Sequence, residues 1–410
     1  MNKIYKKTIL LCILFIISYF SSCQTKESQI DDFIIEQKNW EVILVKYKGT
    51  DKNVKIPEGI TTIGKDAFYK NSCLKNVSIP NSVIYIEEGA FLDCESLTNL
   101  IIPNGVTEIK WATFSGCKNL TRITIPDSVT YIGSFAFQRC ESLKNITIPT
   151  GIKEIAKKTF ENCSSLTNII IPDSVTSIGE AAFVRCKNLK NVTLSNSVTY
   201  IGESAFGDCT SLINITIPKT VKNIRDIAFS GCDGLKSIDV EEGNPNYLSI
   251  DGVLLTKDKK TLIQFPPSKE VETYIIPKGV KKIDDNSFHS CKRLRDIILP
   301  NTVTNIGAGA FYNCTSLTSI TIPNSVTSIQ YYAFADCTNL TDVTLSNSMT
   351  SIPEYAFNCT KLTKIIIPKS IKSINLASFG DFNNLTIYGY KGSFIEKYCK
   401  EYNIPFKVIQ

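Results

Sequence analysis

The sequence predicts a repeat solenoid, mainly β with short helices, and three observations carry that prediction. A phenylalanine recurs at Phe68, Phe91, Phe114, Phe137, Phe160, Phe183, Phe206 and Phe229, and again at Phe288, Phe311, Phe334, Phe357 and Phe379. Within each array the step is 23 residues, except the last, which is 22. An isoleucine five residues before each of these positions never varies, from Ile63 to Ile374. A cysteine follows the phenylalanine by three residues in ten copies, from Cys94 to Cys337, and Cys359 is the same position shifted by one deletion. So strict a period, in thirteen copies, predicts stacked coils sharing a continuous core rather than two or three globular domains.

Taken in order, the chain opens on an export segment. Lys3, Lys6 and Lys7 precede the apolar run TILLCILFIISYF. That run is too short for a stable membrane-spanning helix and suits the apolar stretch of a signal peptide. It ends in Phe20-Ser21-Ser22-Cys23, which resembles the lipobox of bacterial lipoproteins, with Phe20 where leucine is commonest. The resemblance implies that residues 1–22 are removed and that Cys23 becomes the lipid-bearing first residue; plain secretion is the alternative. Residues 23–38 would then be a tether. Residues 39–55 hold the run Val42-Ile43-Leu44-Val45 and a turn signal at Gly49, and are expected to cap the first coil.

The first array spans 56–240. In each copy Leu-x-x-Ile-x-Ile-Pro predicts a strand with alternate residues facing the core, ended by a proline that cannot donate to a ladder. Val-x-x-Ile predicts a second short extended piece. Ala-Phe-x-x-Cys-x-x-Leu has spacings of three and four, which predict a helical turn or short helix. Residues 241–275 interrupt the period: Leu248–Thr256 and Thr261–Phe265 around Lys257–Lys260 predict a β-hairpin insert lying on the side of the stack. The second array spans 276–388. In the C-terminal cap, 389–410, a short helix with Ser393 as N-cap and a last extended piece at Asn403–Ile409 are expected.

These features together resemble the BspA-type leucine-rich-repeat proteins of bacterial cell surfaces. The resemblance runs from about Trp40 to the C-terminus and rests on the repeat, on GNPNYLSIDGVLLTKDKKTLIQFP and on GSFIEKYCKEYNIPF. It implies a right-handed leucine-rich-repeat solenoid of about thirteen 23-residue coils with a β-hairpin insert. It also implies an exported protein on the cell surface or outer membrane, serving as an adhesin for host or matrix proteins or for other microbes. No binding residue carries over, because such proteins share a core and not a ligand surface.

Charge and chemistry narrow the function further. The net charge of +6 falls to 42 basic against 39 acidic residues once the three N-terminal lysines are set aside, so a nucleic-acid partner is not expected. His289 is the only histidine, which leaves no histidine cluster for a metal and no choice of catalytic base. Asp284 and Asp285 follow a core isoleucine as a solvated pair. The sequence has no phosphate loop or dinucleotide fingerprint, so no catalytic, cofactor or metal residue is assigned and no enzymatic activity is expected. The cysteine column reads as buried thiols acting as small hydrophobes. Equivalent side chains in stacked coils run parallel, whereas a disulfide needs a crossed geometry.

The outward face of the strands is the candidate for recognition. One column holds Asn76, Asn99, Asn145, Asn168, Asn191 and Asn214; the next holds Thr124, Thr147, Thr193, Thr216, Thr321 and Thr344, interspersed with Ile101, Ile170, Ile298 and Ile366. Such columns can stabilise the array through side-chain ladders or offer a long polar sheet to an extended partner. Tyr85, Trp111, Tyr131, Tyr200, Tyr331 and Tyr332 are candidate hot spots on scattered coils. The expected role is a lipid-anchored surface protein binding an extracellular protein or glycan; the alternative is a structural spacer of the cell envelope.

Overall fold

In most coils three segments bond to the same segments of the next. Around 168–190 the first is a three-residue strand. Asn168–Ile170 pairs in parallel with Asn191–Thr193, Asn168 opposite Asn191 and Ile170 opposite Thr193. Ile169 is buried and its two neighbours are exposed, as a period of two requires. The Ile171 N–H still donates to the Thr193 carbonyl at 2.9 Å. Pro172, with no N–H, ends the ladder, and its carbonyl accepts from the Val175 N–H at 3.0 Å. The second segment is a two-residue strand, with Ser177 and Ile178 opposite Tyr200 and Ile201.

The third segment departs from expectation. Ala-Phe-x-x-Cys forms turns and not a short helix. Ala181, Phe183 and Arg185 each donate their N–H to the next coil, to the carbonyls of Glu203, Ala205 and Gly207 at 2.8 Å. Ala181 and Arg185 sit in the left-handed region, with φ of 52° and 61°. A left-handed residue on either side of the phenylalanine breaks the run of right-handed residues that an α-helix needs. Each such residue costs about 1–2 kcal/mol; the inter-coil hydrogen bonds it directs offset that cost.

The computed structural model describes residues 26–359, 361–380 and 385–409. The export segment and Cys23 lie outside the described residues. The chain divides into two compact units, one running to Cys209 with Asn223–Ala228, the other comprising Thr210–Lys222 and everything from Phe229.

In the first unit the rings of Phe68, Phe91, Phe114, Phe137, Phe160, Phe183 and Phe206 form one file. Successive centroids are 4.9–5.5 Å apart and the planes lie within 13°. Tyr47 continues the file at 5.3 Å from Phe68, and Phe33 lies 4.9 Å from Tyr47. The cap is therefore longer than expected. Lys26–Ile30, Phe33–Lys38 and Glu41–Tyr47 form an antiparallel meander, so most of the expected tether is folded. Phe33 and Ile35 alternate with less buried residues, and their burial is what ties this stretch down.

In the second unit the insert is part of the stack. Tyr247–Ile250, Val253–Thr256 and Thr261–Gln264 form three antiparallel strands, one more than a hairpin. The last pairs in parallel with Lys282–Ile283, Leu262 opposite Ile283. Phe265 lies 23 residues before Phe288 and stacks on it at 5.1 Å. Val253, Leu254, Leu255 and Leu262 are fully buried, which a lateral flap would not achieve. At the C-terminus the expected helix is present as Phe394–Glu401, with the Ser393 hydroxyl accepting from the Glu396 N–H. Phe406–Val408 then adds a parallel strand beside Thr386–Gly389. Counting gives about 16 turns of ~23 residues, against the thirteen expected. Turns outside the two arrays of phenylalanines account for the difference: those of Tyr47, of Phe265 inside the expected insert, and of the closing strand.

The described cysteines are free, and all but Cys73 are buried. Most column thiols do more than fill space. They donate to the phenylalanine carbonyl of the preceding coil: Cys117 to Phe91 at 3.2 Å, Cys163 to Phe137 at 3.1 Å, Cys186 to Phe160 at 3.1 Å and Cys337 to Phe311 at 3.1 Å; Cys291 instead faces the His289 carbonyl of its own coil at 4.0 Å. Burial pushes the Cys94 and Cys186 thiols up to about 12.

Candidate recognition surface

The two-residue period of the first strand decides what solvent meets. Its central residue enters the core and its flanking residues form two outward columns. In the first unit the asparagine column bonds partly to itself and partly to the threonines beside it. The Asn191 amide donates to the Asn168 side-chain oxygen at 2.6 Å, and Asn76 to Asn53 at 2.7 Å. Thr98 and Thr121 donate to the Asn76 and Asn99 side chains at 3.2 and 3.3 Å. This column acts as a ladder along the array.

The neighbouring column has no such occupation. Ile101 and Ile170 are 71% and 70% exposed in the first unit, and Ile275 and Ile298 are 66% and 51% exposed in the second. Cross-strand pairing sets them in rows: Ile275 opposite Ile298, and Thr321, Thr344, Ile366 and Tyr388 opposite one another in turn. In the second unit this column walls a shallow groove of about 590 Å³, lined by Asp296, Ile298, Thr321, Thr344 and the loop residues Asn301, Asn324 and Asn347. The Asn324 side chain accepts from the Asn347 N–H at 2.9 Å, which fixes part of the groove's rim.

Other singled-out residues resolve into local packing. His289 is half-buried and stacks on Tyr312 at 5.3 Å. Asp284 meets the Lys282 ammonium at 2.7 Å, and Asp285 accepts the Ala308 N–H at 2.8 Å. The pair is thus used by its own turn and by the next coil. Tyr85, Trp111, Tyr131, Tyr200, Tyr331 and Tyr332 are all exposed. Tyr332 stacks on Tyr355 at 4.8 Å, and Trp111 leans on Phe135 at 6.0 Å. Tyr331 meets Tyr332 edge-on at 6.0 Å.

Charge is organised by the same period. In the first unit Lys65 reaches Glu88, Lys110 reaches Glu87, Lys118 reaches Glu95 and Lys157 reaches Glu180, at 2.7–3.1 Å, each pair 23 residues apart. The hydrogen bond from Lys118 holds the Glu95 carboxyl below its ordinary range. These exposed pairs contribute little stability each. Near the C-terminus Lys364 lies 5.0 Å and Lys407 5.8 Å from the Tyr388 ring, and Lys369 lies 4.9 Å from the Tyr390 ring, much as Lys46 and Lys70 approach the Tyr69 ring in the first unit. The repeat pattern did not point to this group.

A family model described as the BspA type leucine rich repeat region matches in six copies, over residues 46–167, 153–250 and 264–386. No curated protein matches the chain. Among solved structures, a leucine rich cell surface protein from Faecalibacterium prausnitzii is 30% identical, with 90% of this chain and 89% of that chain covered and a TM-score of 0.61. A leucine-rich repeat protein from Bacteroides ovatus is 26% identical, covering 95% and 99% of the two chains with a TM-score of 0.53. The pneumococcal vaccine antigen PcpA shares the fold at 22% identity and a TM-score of 0.57, covering 95% and 100%. With its repeats matched over most of their length, the chain belongs to the BspA-type leucine-rich-repeat family.

Proposed function

We propose that this protein is a lipid-anchored, non-catalytic surface protein whose outward strand face binds an extracellular protein or glycan. One observation supports this reading above the others. The inward positions repeat almost without change, while in the second unit the outward column sets Ile275 beside Ile298 and leaves both uncovered, together with the exposed Thr321 and Thr344 of the groove. A purely structural column would be expected to occupy itself as the asparagine column does. Isolated exposed apolar residues are ordinary on a surface; rows of them on one sheet face mark an interaction surface.

The test is binding of the purified chain to immobilised extracellular-matrix proteins. Changing Thr321→Arg together with Thr344→Arg places two bulky cations in the groove and should weaken binding by about tenfold or more, equivalent to ~1.4 kcal/mol. Unchanged binding by that variant would remove the groove from the interface, and absence of binding to every matrix protein would favour the spacer role.

Anchoring rests on the Cys23 motif and its basic, apolar leader. Acyl chains contribute roughly 0.8 kcal/mol of membrane affinity per buried CH₂. A palmitate analogue fed to cells should label the protein, and Cys23→Ser should abolish the label. Persistent labelling of Cys23→Ser, or none on the parent, would point to plain secretion.

A further inference from the structure

We infer that the outer sheet face at the C-terminal cap binds an extended acidic peptide segment with carboxylates at alternate positions. The inference rests on the outward strand face being the recognition face, and it names the chemistry of one partner. Three neighbouring strands build the patch. Lys364–Ile366, Thr386–Gly389 and Phe406–Val408 lie side by side, with Ile366, Tyr388 and Lys407 in one row. Lys364 and Lys407 both approach the Tyr388 ring, and Lys369 approaches Tyr390. All three lysines are exposed.

Four lysines of the first unit are met by a glutamate one coil away. Lys364, Lys369 and Lys407 gather on one face, and among the described residues they pair with no carboxylate. Positions 361–410 hold eight lysines against three acidic residues. Lysine on a sheet edge can serve to discourage edge pairing. Only Lys407 is on the last strand, so that role does not explain Lys364 or Lys369. Local charge is left without a complement, which favours an anionic partner and speeds its approach.

The spacing selects the partner. Tyr388 lies on the strand Thr386–Gly389 and Tyr390 one residue past its end; two residues of extended backbone offset their lysine-bearing rings by about 7 Å. An extended peptide laid along that strand presents alternate side chains at the same interval, about 7 Å. A glutamate or aspartate at every second position would meet the Lys364–Lys407 pair and then Lys369. The Tyr388 ring, held beside two ammonium groups, keeps them in place through cation–π attraction.

The measurement is fluorescence anisotropy of a labelled peptide of alternating glutamate and threonine, added to the purified chain at low salt. It is compared with a peptide of the same composition in two blocks. The alternating peptide should bind more tightly, and added salt should weaken it as exposed charges are screened. Lys364→Gln with Lys407→Gln should lower its affinity about tenfold or more. Lys65→Gln with Lys118→Gln, which removes equal charge elsewhere, should change it less than about twofold. Equal binding of both peptides, an unaffected Lys364/Lys407 variant, or no binding at low salt would overturn the proposal. So would capture of a sulfated polysaccharide with none of the peptide. None of these outcomes bears on matrix binding through the Thr321 and Thr344 groove, which fails or stands by its own assay.

Discussion

Raising the pH past 9 should unfold the first unit steeply. Five consecutive thiols there, Cys94, Cys117, Cys140, Cys163 and Cys186, are held protonated above their ordinary value of 9.0, burial being the first cause in each. Cys94 and Cys186 are pushed up to about 12. The sign follows from proton binding. Above pH 9 the unfolded chain releases these protons and the folded chain keeps them, so the unfolded state binds fewer and stability falls as pH rises. The contribution is complete below 9 and is lost as pH climbs from 9 toward 12. One pH unit above 9, a thiol so raised forfeits on the order of 1 kcal/mol, and several together a few kcal/mol. That is a sizeable part of the stability of a typical domain, about 5–15 kcal/mol. Urea titrations by circular dichroism from about pH 8 to 10.5 would measure the slope. Cys140→Ala with Cys163→Ala should reduce the released protons from about five to about three, while starting from a lower stability because two buried side chains are truncated. Identical urea midpoints at pH 8 and 10 would show that the column is not what the structure places in the core.

The parts of this architecture that were legible in the sequence are those repeated for a physical reason. Ile178, Phe183, Cys186 and Leu189 recur because every coil presents the same inward surface to its neighbours. The turn conformation was not legible, since Ala-Phe-x-x-Cys-x-x-Leu carries helical spacing while its amides serve the next coil. The coil of Phe265 was hidden because Gln264 stands where alanine usually does and Ser268 where cysteine does. Both substitutes find partners: Gln264 donates to the Ser287 carbonyl at 3.2 Å, and the Ser268 hydroxyl to the Asp233 carbonyl at 2.7 Å. The apolar members of the outer face could be seen as Ile101, Ile170, Ile298 and Ile366. The Lys364–Tyr388–Lys407 group could not, because it joins the last coils to the cap, where the period lapses and pairing alone brings its members together. The lysine density of the last fifty residues was the signal available for it.

Truncating one ring in the middle of the file should cost the most of any single change in the first unit. Phe160 is fully buried, 5.5 Å from Phe137 and 5.3 Å from Phe183, with planes 3° and 12° apart. Phe160→Ala is expected to lose about 3–5 kcal/mol by transfer and cavity formation. Two ring contacts are lost as well, each about 0.5–1.5 kcal/mol, which places the result toward the upper end. The neighbours have little freedom to close the gap, because inter-coil hydrogen bonds fix the spacing on both sides: Phe160 N–H to the Ala182 carbonyl at 2.8 Å and Phe137 N–H to the Thr159 carbonyl at 2.9 Å. In a stack whose stability is carried by nearest-neighbour terms, a weak interface also divides the cooperative unit. Urea unfolding of Phe160→Ala should therefore show a lower midpoint and a shallower or two-step transition. Phe160→Leu, which keeps most of the volume, should retain a single step. Ile170→Ala, at an outer position 70% exposed, should stay within about 0.5 kcal/mol of the parent. If Phe160→Ala cost no more than Ile170→Ala, the ring file would be a by-product of the repeat, and the hydrogen-bonded ladders alone would hold the coils together.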